Sequence, residues 1–162
     1  MECSVQATEG SKLIYSLEDY DSVYEEMQEL IVDHWEEIAV NKDKIKLNPD
    51  WEFYRKVADE GYLGVYTVRS DSKLVGYFIV VAIANPHYKD HIFATNDILF
   101  LRKEYRKGLT GVKLLKFAEQ DLKTKGISVI VINTKVHIPF DKVLERLKYN
   151  LTERVYSKYI GD

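Results

Sequence analysis

A single cysteine, Cys3, occurs in 162 residues. No intrachain disulfide can form, and the sequence fits a reducing compartment. Proline and glycine are scarce, at three and eight residues, which excludes a collagen-like or Pro/Gly-rich disordered chain. No stretch reaches the ~18 apolar residues of a membrane span; the longest apolar run, residues 74–84, reads as a buried strand. The opening MECSVQATEG lacks the basic start and apolar centre of a signal peptide, so the cytoplasm is the expected location and no membrane partner is expected. Positive charge is not in excess: 23 Lys and Arg against 26 Asp and Glu leave a net charge of −3, which argues against a broad basic face for nucleic acid. Four histidines and one cysteine show neither H-E-x-x-H nor paired-cysteine spacing, so no metal is expected. Neither G-x-x-x-x-G-K-[ST] nor G-x-G-x-x-G occurs, which excludes a nucleotide P-loop and argues against a dinucleotide fold.

What is present is an ordinary globular composition, 46% hydrophobic and 30% charged. The length suits one domain over 1–162, with residues 1–10 a loose tail. Residues 12–15 read as a short first strand. A helix is expected over 20–38, where Tyr20, Val23, Met27, Leu30, Ile31, Trp35 and Ile38 form one apolar stripe. Asn48-Pro49 opens a second helix, with Asn48 as cap, and Gly61 closes it. Strands at 62–69 and 74–84 flank the turn Ser70-Asp71-Ser72. Residues 85–90 read as a loop, and a strand covers 92–101. A third helix is expected over 110–125 and an apolar strand at 127–133, placed inside the sheet because it is apolar on both faces. A fourth helix runs from Pro139 to Leu147, and a last strand covers 151–159. The order β-α-α-β-β-β-α-β-α-β implies an α/β (α+β) fold: a mixed, mostly antiparallel twisted sheet with helices on both faces.

The most informative segment is Arg102-Lys103-Glu104-Tyr105-Arg106-Lys107-Gly108-Leu109-Thr110-Gly111. It reads as a basic, glycine-containing turn between a strand and a helix. A helix start carries partial positive charge and unpaired N–H groups, so added cations make sense where an anion sits. Gly108 and Gly111 would allow close approach of the backbone. The plainer alternative is a solvated charged loop.

Arg106-Lys107-Gly108-Leu109-Thr110-Gly111 resembles the coenzyme A pyrophosphate loop of the GNAT superfamily, Gln/Arg-x-x-Gly-x-Gly/Ala. Leu109 stands where the first glycine is usual. Residues 127–133 resemble that family's fifth strand, and Val143-Leu144-Glu145-Arg146-Leu147-Lys148-Tyr149 is similar to its closing helix, Leu-Tyr-Glu-Lys-x-Gly-Phe. With His34-Trp35-Glu36-Glu37 and Pro86-His87-Tyr88, the chain resembles a branch often encoded by bacteriophages.

This resemblance implies an acetyl-CoA-dependent N-acetyltransferase with a splay between strands four and five. Leu99, Phe100 and Leu101 would line the pantetheine arm. Arg106, Lys107, Gly108, Leu109, Thr110 and Gly111 would hold the pyrophosphate, mainly through main-chain N–H groups. A small-molecule or protein amine would attack the thioester directly, which requires a proton acceptor. Candidates are Asp97, His87, and Glu36 or Glu37. Each has a plain structural alternative: a capping or ion-paired Asp97, a loop-bound His87, a solvated helix end. The family's closing-helix tyrosine falls at Leu144; either Tyr149 or another tyrosine would substitute as the acid, or the thiolate would leave unassisted. If Glu36, Glu37 and Asp97 line the acceptor side, a cationic amine is favoured. A homodimer is possible within this reading. The alternative function is a catalytically inactive GNAT-fold module that binds CoA or a protein.

Overall fold

Hydrophobic periodicity resolves into the expected elements over most of the chain. The structure, a computed structural model, describes residues 12–161; Cys3 and the expected tail at 1–10 lie outside the described residues. In chain order come β1 (Leu13–Leu17), α1 (Tyr20–Ile38), α2 (Trp51–Asp59), β2 (Leu63–Ser70), β3 (Lys73–Asn85), β4 (Tyr88–Leu101), a 3-10 turn (Lys103–Tyr105), α3 (Thr110–Thr124), β5 (Ile127–Val131) and α4 (Asp141–Arg146). The strands form one sheet in the order β1-β2-β3-β4-β5. The first three pairings are antiparallel and β4–β5 is parallel.

β3 explains the layering. Its alternate residues face opposite ways, and both faces are apolar. Tyr77 and Ile79 pack with Tyr20, Val23, Met27 and Leu30 of α1. Phe78 and Val80 pack with Leu114, Leu115, Ala118 and Leu122 of α3 and with Leu144 of α4. Helices therefore cover both faces, as a strand buried on both sides demands. Each fully buried side chain of this size contributes about 1.5–3 kcal/mol. Gly76 is required where β3 passes β4: a Cβ there would lie 2.6 Å from Leu101 Cδ1 and 2.9 Å from the Phe100 carbonyl oxygen.

Several boundaries differ from expectation. α2 starts at Trp51, capped by Asp50 and not by Asn48, because the Asp50 carboxylate accepts the Phe53 N–H at 2.9 Å. The expected 85–90 loop is a tight hairpin: β3 runs to Asn85, β4 begins at Tyr88, and Pro86-His87 makes the turn. The Asn85 side chain closes that turn by accepting the His87 N–H at 2.9 Å. The stripe on α1 ends in His34, not Trp35. β5 was expected in the sheet interior but is its outermost strand, with Ser128 and Val129 exposed. The expected last strand is absent among the described residues, since 151–161 carry no regular secondary structure. Among the described residues no strand lies on the outer edge of β5 and none pairs with residues 151–161.

Candidate active site

The β4–β5 pairing runs from Ile92↔Ile127 to Thr95↔Val131 and then stops. At the next position the Asn96 side-chain oxygen accepts the Asn133 N–H at 2.6 Å. This contact pins the vertex of a fork. Beyond it, β4 stays paired with β3 as far as Leu101↔Gly76, while no described strand pairs with its other edge. The expected splay between strands four and five is thus present, and Leu99, Phe100 and Leu101 lie along its free edge.

Asp97 stands at the fork for a specific reason. Ile79 pairs with Ile98 and Val80 with Asn96, so Asp97 is the extra residue of a β-bulge. Bulges re-aim side chains, and here the Asp97 carboxylate accepts the Tyr54 hydroxyl of α2. Burial, reinforced by this carboxylate, raises the Tyr54 pKa, so the phenol keeps its proton. The Tyr54 ring lies 5.8 Å from Trp51, and Trp51 lies 5.6 Å edge-on to Tyr24, forming an aromatic wall beside Asp97.

From Leu101 the chain passes through the basic turn into α3. Gly108 adopts φ +60°, which favours glycine. α3 has no side-chain cap and no acid in its first turn, so its first N–H groups lack intrahelical acceptors and carry the positive end of the dipole. A Cβ at Gly108 or Gly111 would meet no atom within 4 Å. Room, donors and the exposed Lys107 fit an anionic phosphate here. Thr110 is turned inward, its hydroxyl donating to the Lys107 carbonyl at 3.1 Å.

The two arginines of the turn are committed elsewhere. Arg102 reaches Asp33 at 2.5 Å. Arg106 makes a two-pronged pair with Glu37, at 2.5 and 2.9 Å, and also donates to the Leu101 carbonyl at 2.6 Å. Its guanidinium lies 5.3 Å from the Phe100 ring centre. Glu37 is held below its ordinary pKa, chiefly by Arg106. It is therefore an anion already satisfied rather than a free base. A polar groove of about 330 Å³ lies between these helix carboxylates and the turn, lined by Asp33, Glu36, Glu37, Phe100, Arg102, Lys103 and Glu104.

The remaining candidates are dispersed. His87 sits exposed at the tip of the β3–β4 hairpin, nine strand residues and roughly 30 Å from Asp97. Glu36 pairs with Lys42 at 3.1 Å. Burial, reinforced by the Glu119 carboxylate of α3, raises the Tyr149 pKa. Leu144 is a core residue. Tyr54, Asn96 and Asn133 belong to the fork although residue type alone did not single them out. The available signal was the polar pair Asn96-Asp97 directly before the apolar run 98–101. A larger groove, about 570 Å³, lies at the other end of α3, and Lys125 is its only basic or acidic lining residue.

No sequence-family model and no curated protein sequence matches the chain. Solved structures do. An aminoglycoside acetyltransferase from an uncultured soil metagenomic sample, in complex with sisomicin, superimposes with a TM-score of 0.70 over 92% of this chain and 95% of its own, at 16% identity. The chain has the GNAT acetyltransferase fold. The ribosomal-protein-alanine N-acetyltransferase of Brucella melitensis biovar Abortus 2308 gives 0.68 over 93% and 100%, at 16% identity. A predicted acetyltransferase of Clostridium acetobutylicum, with acetyl-CoA, gives 0.67 over 91% and 96%, at 11% identity. The first two are named for different acceptors, an aminoglycoside and a ribosomal-protein alanine, and a fold shared at such identities does not choose among acceptors. Among the described residues no helix is long and apolar enough to cross a membrane, and no group of three or more His, Cys, Asp or Glu could hold a metal ion.

Proposed function

We propose that this chain is an N-acetyltransferase that moves an acetyl group from acetyl-CoA directly to a primary amine. One observation carries the reading: the free edge of β4 beyond the Asn96–Asn133 contact leads straight into an uncapped helix N-terminus with a cationic, glycine-containing approach. The main chain of Leu99, Phe100 and Leu101 would lie along the pantetheine arm. The amides of Gly108, Leu109, Thr110 and Gly111, with Lys107, would meet the pyrophosphate. Arg106 would act through its brace to Glu37, keeping the turn in place. The bound thioester supplies an activated acetyl group.

The chain's own part is to orient the amine and take its proton. Asp97, re-aimed by the bulge and held by Tyr54, is the carboxylate at the fork. It receives the proton that the amine must lose. The departing thiolate takes its proton from solvent, because burial and the Glu119 carboxylate make Tyr149 a poor acid. Asp97 beside the Tyr54 and Trp51 rings suits a cationic acceptor, through a carboxylate contact and cation–π attraction. A preference for neutral or anionic amines across a panel would overturn that part.

The test is calorimetry with acetyl-CoA on the parent and on Gly111→Asp, which puts a carboxylate into the open space at the helix start. Micromolar binding, abolished by the substitution, supports the site. Absence of binding at millimolar ligand removes it. The second reading, a GNAT-fold module that binds CoA or a protein without chemistry, is favoured by Leu144 in the core and by the engagement of Tyr149 and Glu37. Retained acetyl-CoA binding with no transfer to any amine in a broad panel would select it.

A further inference from the structure

Charge in this chain is divided by position. Residues 98–162 hold 14 Lys and Arg against 7 Asp and Glu, while residues 1–97 hold 9 against 19. The net charge of −3 therefore conceals a basic part, and α3 concentrates it. Lys113, Lys116 and Lys123 are exposed on this helix and form no ion pair among the described residues. Both acids of α3 are engaged elsewhere. Asp121 accepts the Tyr66 hydroxyl at 2.7 Å and pairs with Lys125 at 2.7 Å, and Glu119 is half-buried beside Tyr149. The exposed charge of α3 between Lys113 and Lys123 is thus positive throughout. Phe117 is the exposed large apolar side chain in that stretch, with its ring edge-on to Tyr66 at 6.2 Å. The row is about 15 Å long, and it runs toward the groove of about 570 Å³ at the C-terminal end of α3. Three of the groove's lining residues, Gly64, Ala82 and Ala84, have little or no side chain. Tyr62, 47% exposed, lines it too.

We propose that the outer side of α3 and the groove at its end bind single-stranded nucleic acid, with backbone phosphates on Lys113, Lys116 and Lys123 and a base seated in the groove against Tyr62. A polyanion is what an unpaired row of cations complements. The residue type narrows the choice. Carboxylates on this protein are met by arginine forks, as at Asp33 and Glu37, whereas lysine offers the point charge that suits a phosphate. An anionic membrane fits less well. A helix that lies on lipid turns its apolar side outward, and here Leu114, Leu115, Ala118 and Leu122 are in the core. The apolar groove supplies what a base needs. Its volume falls in the range of small-molecule sites, and an exposed tyrosine ring gives a base a surface to stack on. Lys125, the groove's cation, is already neutralised by Asp121, so an uncharged, flat occupant suits it. The groove lies at the opposite end of α3 from the CoA loop, and binding there does not depend on acyl transfer.

The experiment is fluorescence anisotropy of a labelled oligouridylate of about 12 nucleotides, titrated with the full chain. Three phosphate contacts predict that raising salt from about 50 to about 200 mM weakens binding about twentyfold. Lys116→Glu with Lys123→Glu, both at exposed positions, should lower affinity at least about tenfold and cut the salt effect to about threefold, with circular dichroism unchanged. Tyr62→Ala should cost at least about fivefold and leave the salt effect as it was, because a stacked ring carries no charge. Gly111→Asp, at the far end of the helix, should leave oligouridylate binding intact. Four outcomes overturn the assignment: no anisotropy change at about 50 mM salt with millimolar protein; binding that the two glutamates leave unaltered; binding that Gly111→Asp or added acetyl-CoA abolishes, which places the oligonucleotide at the CoA loop; or binding to phosphatidylserine vesicles or polyglutamate in preference to the oligonucleotide, which makes the row a site for lipid or acidic protein.

Discussion

Burial of His34 makes the stability of this protein depend on pH in a direction that follows from its surroundings. The ring is 6% exposed and stacks on Phe100 at 4.9 Å between centres. Nδ1 lies 3.2 Å from the Tyr77 hydroxyl, and Nε2 is buried with no partner among the described residues. Burial holds the pKa down to about 4; Glu37 opposes this weakly, and Arg106 and Lys135 add to it. The unfolded chain protonates this histidine near 6.5, so it binds more protons than the native state below that pH. The neutral ring's contribution is complete above 6.5, declines as pH falls, and levels off below about 4. The whole decline is about 3 kcal/mol, of which about 2 kcal/mol falls between pH 7 and pH 5. His34→Phe keeps an aromatic ring against Phe100 and removes the titration. Urea unfolding of both proteins at the two pH values gives the comparison, and the parent should lose about 2 kcal/mol more than the variant. Equal losses would refute the account, and would mean that Nε2 finds a partner that stabilises the imidazolium.

Gly111→Ala should separate stability from binding. The added methyl meets nothing within 4 Å, so a helix-propensity gain of up to about 1 kcal/mol should raise Tm by about 2 °C, while acetyl-CoA affinity measured by calorimetry falls at least about tenfold. Lys148 occupies φ +68° after α4; Lys148→Gly should stabilise by about 1 kcal/mol in thermal or urea unfolding, because a side chain is strained there. Arg69 joins Glu18 at 2.8 Å and Glu26 at 2.7 Å, and also donates to the Ser72 carbonyl at 2.7 Å. Arg69→Met leaves two carboxylates facing each other without their cation and should cost about 2 kcal/mol by urea unfolding. The loss should shrink at acid pH, since Glu18 is held below its ordinary pKa and that contribution fades as pH falls toward it.

The fold was legible wherever a local pattern carried the information. The α1 stripe, the strand pair around Asp71-Ser72 and the glycine at Gly126 each follow from periodicity or turn chemistry over a few residues. Both turn residues, Asp71 and Ser72, adopt positive φ, at 48° and 68°, as a two-residue hairpin turn requires. Features that depend on distant partners were not legible. Whether 127–131 is central or outermost depends on what lies beyond its free edge, and the same holds for 151–160. Asn96 and Asn133 are 37 residues apart, and only the register of β4 against β5 brings them together. The bulge that aims Asp97 at Tyr54 is likewise a property of two strands, not of one.

The basic turn shows how charge pattern and charge function part company. Four cations in six residues read as one cluster aimed at an anion. In the fold they divide by side-chain chemistry. The two arginines, whose planar forks suit carboxylates, turn toward α1 and meet Asp33 and Glu37, one helical turn apart. The two lysines, Lys103 and Lys107, stay exposed and form no ion pair among the described residues. The acidic end of α1 is therefore not a second, opposing cluster. It neutralises the arginines and braces the turn against α1, so the unpaired charge of the turn reduces to the lysines and the main-chain dipoles of α3. An anion bound at that helix start meets donors already held in place, and little conformational entropy remains to be lost on binding.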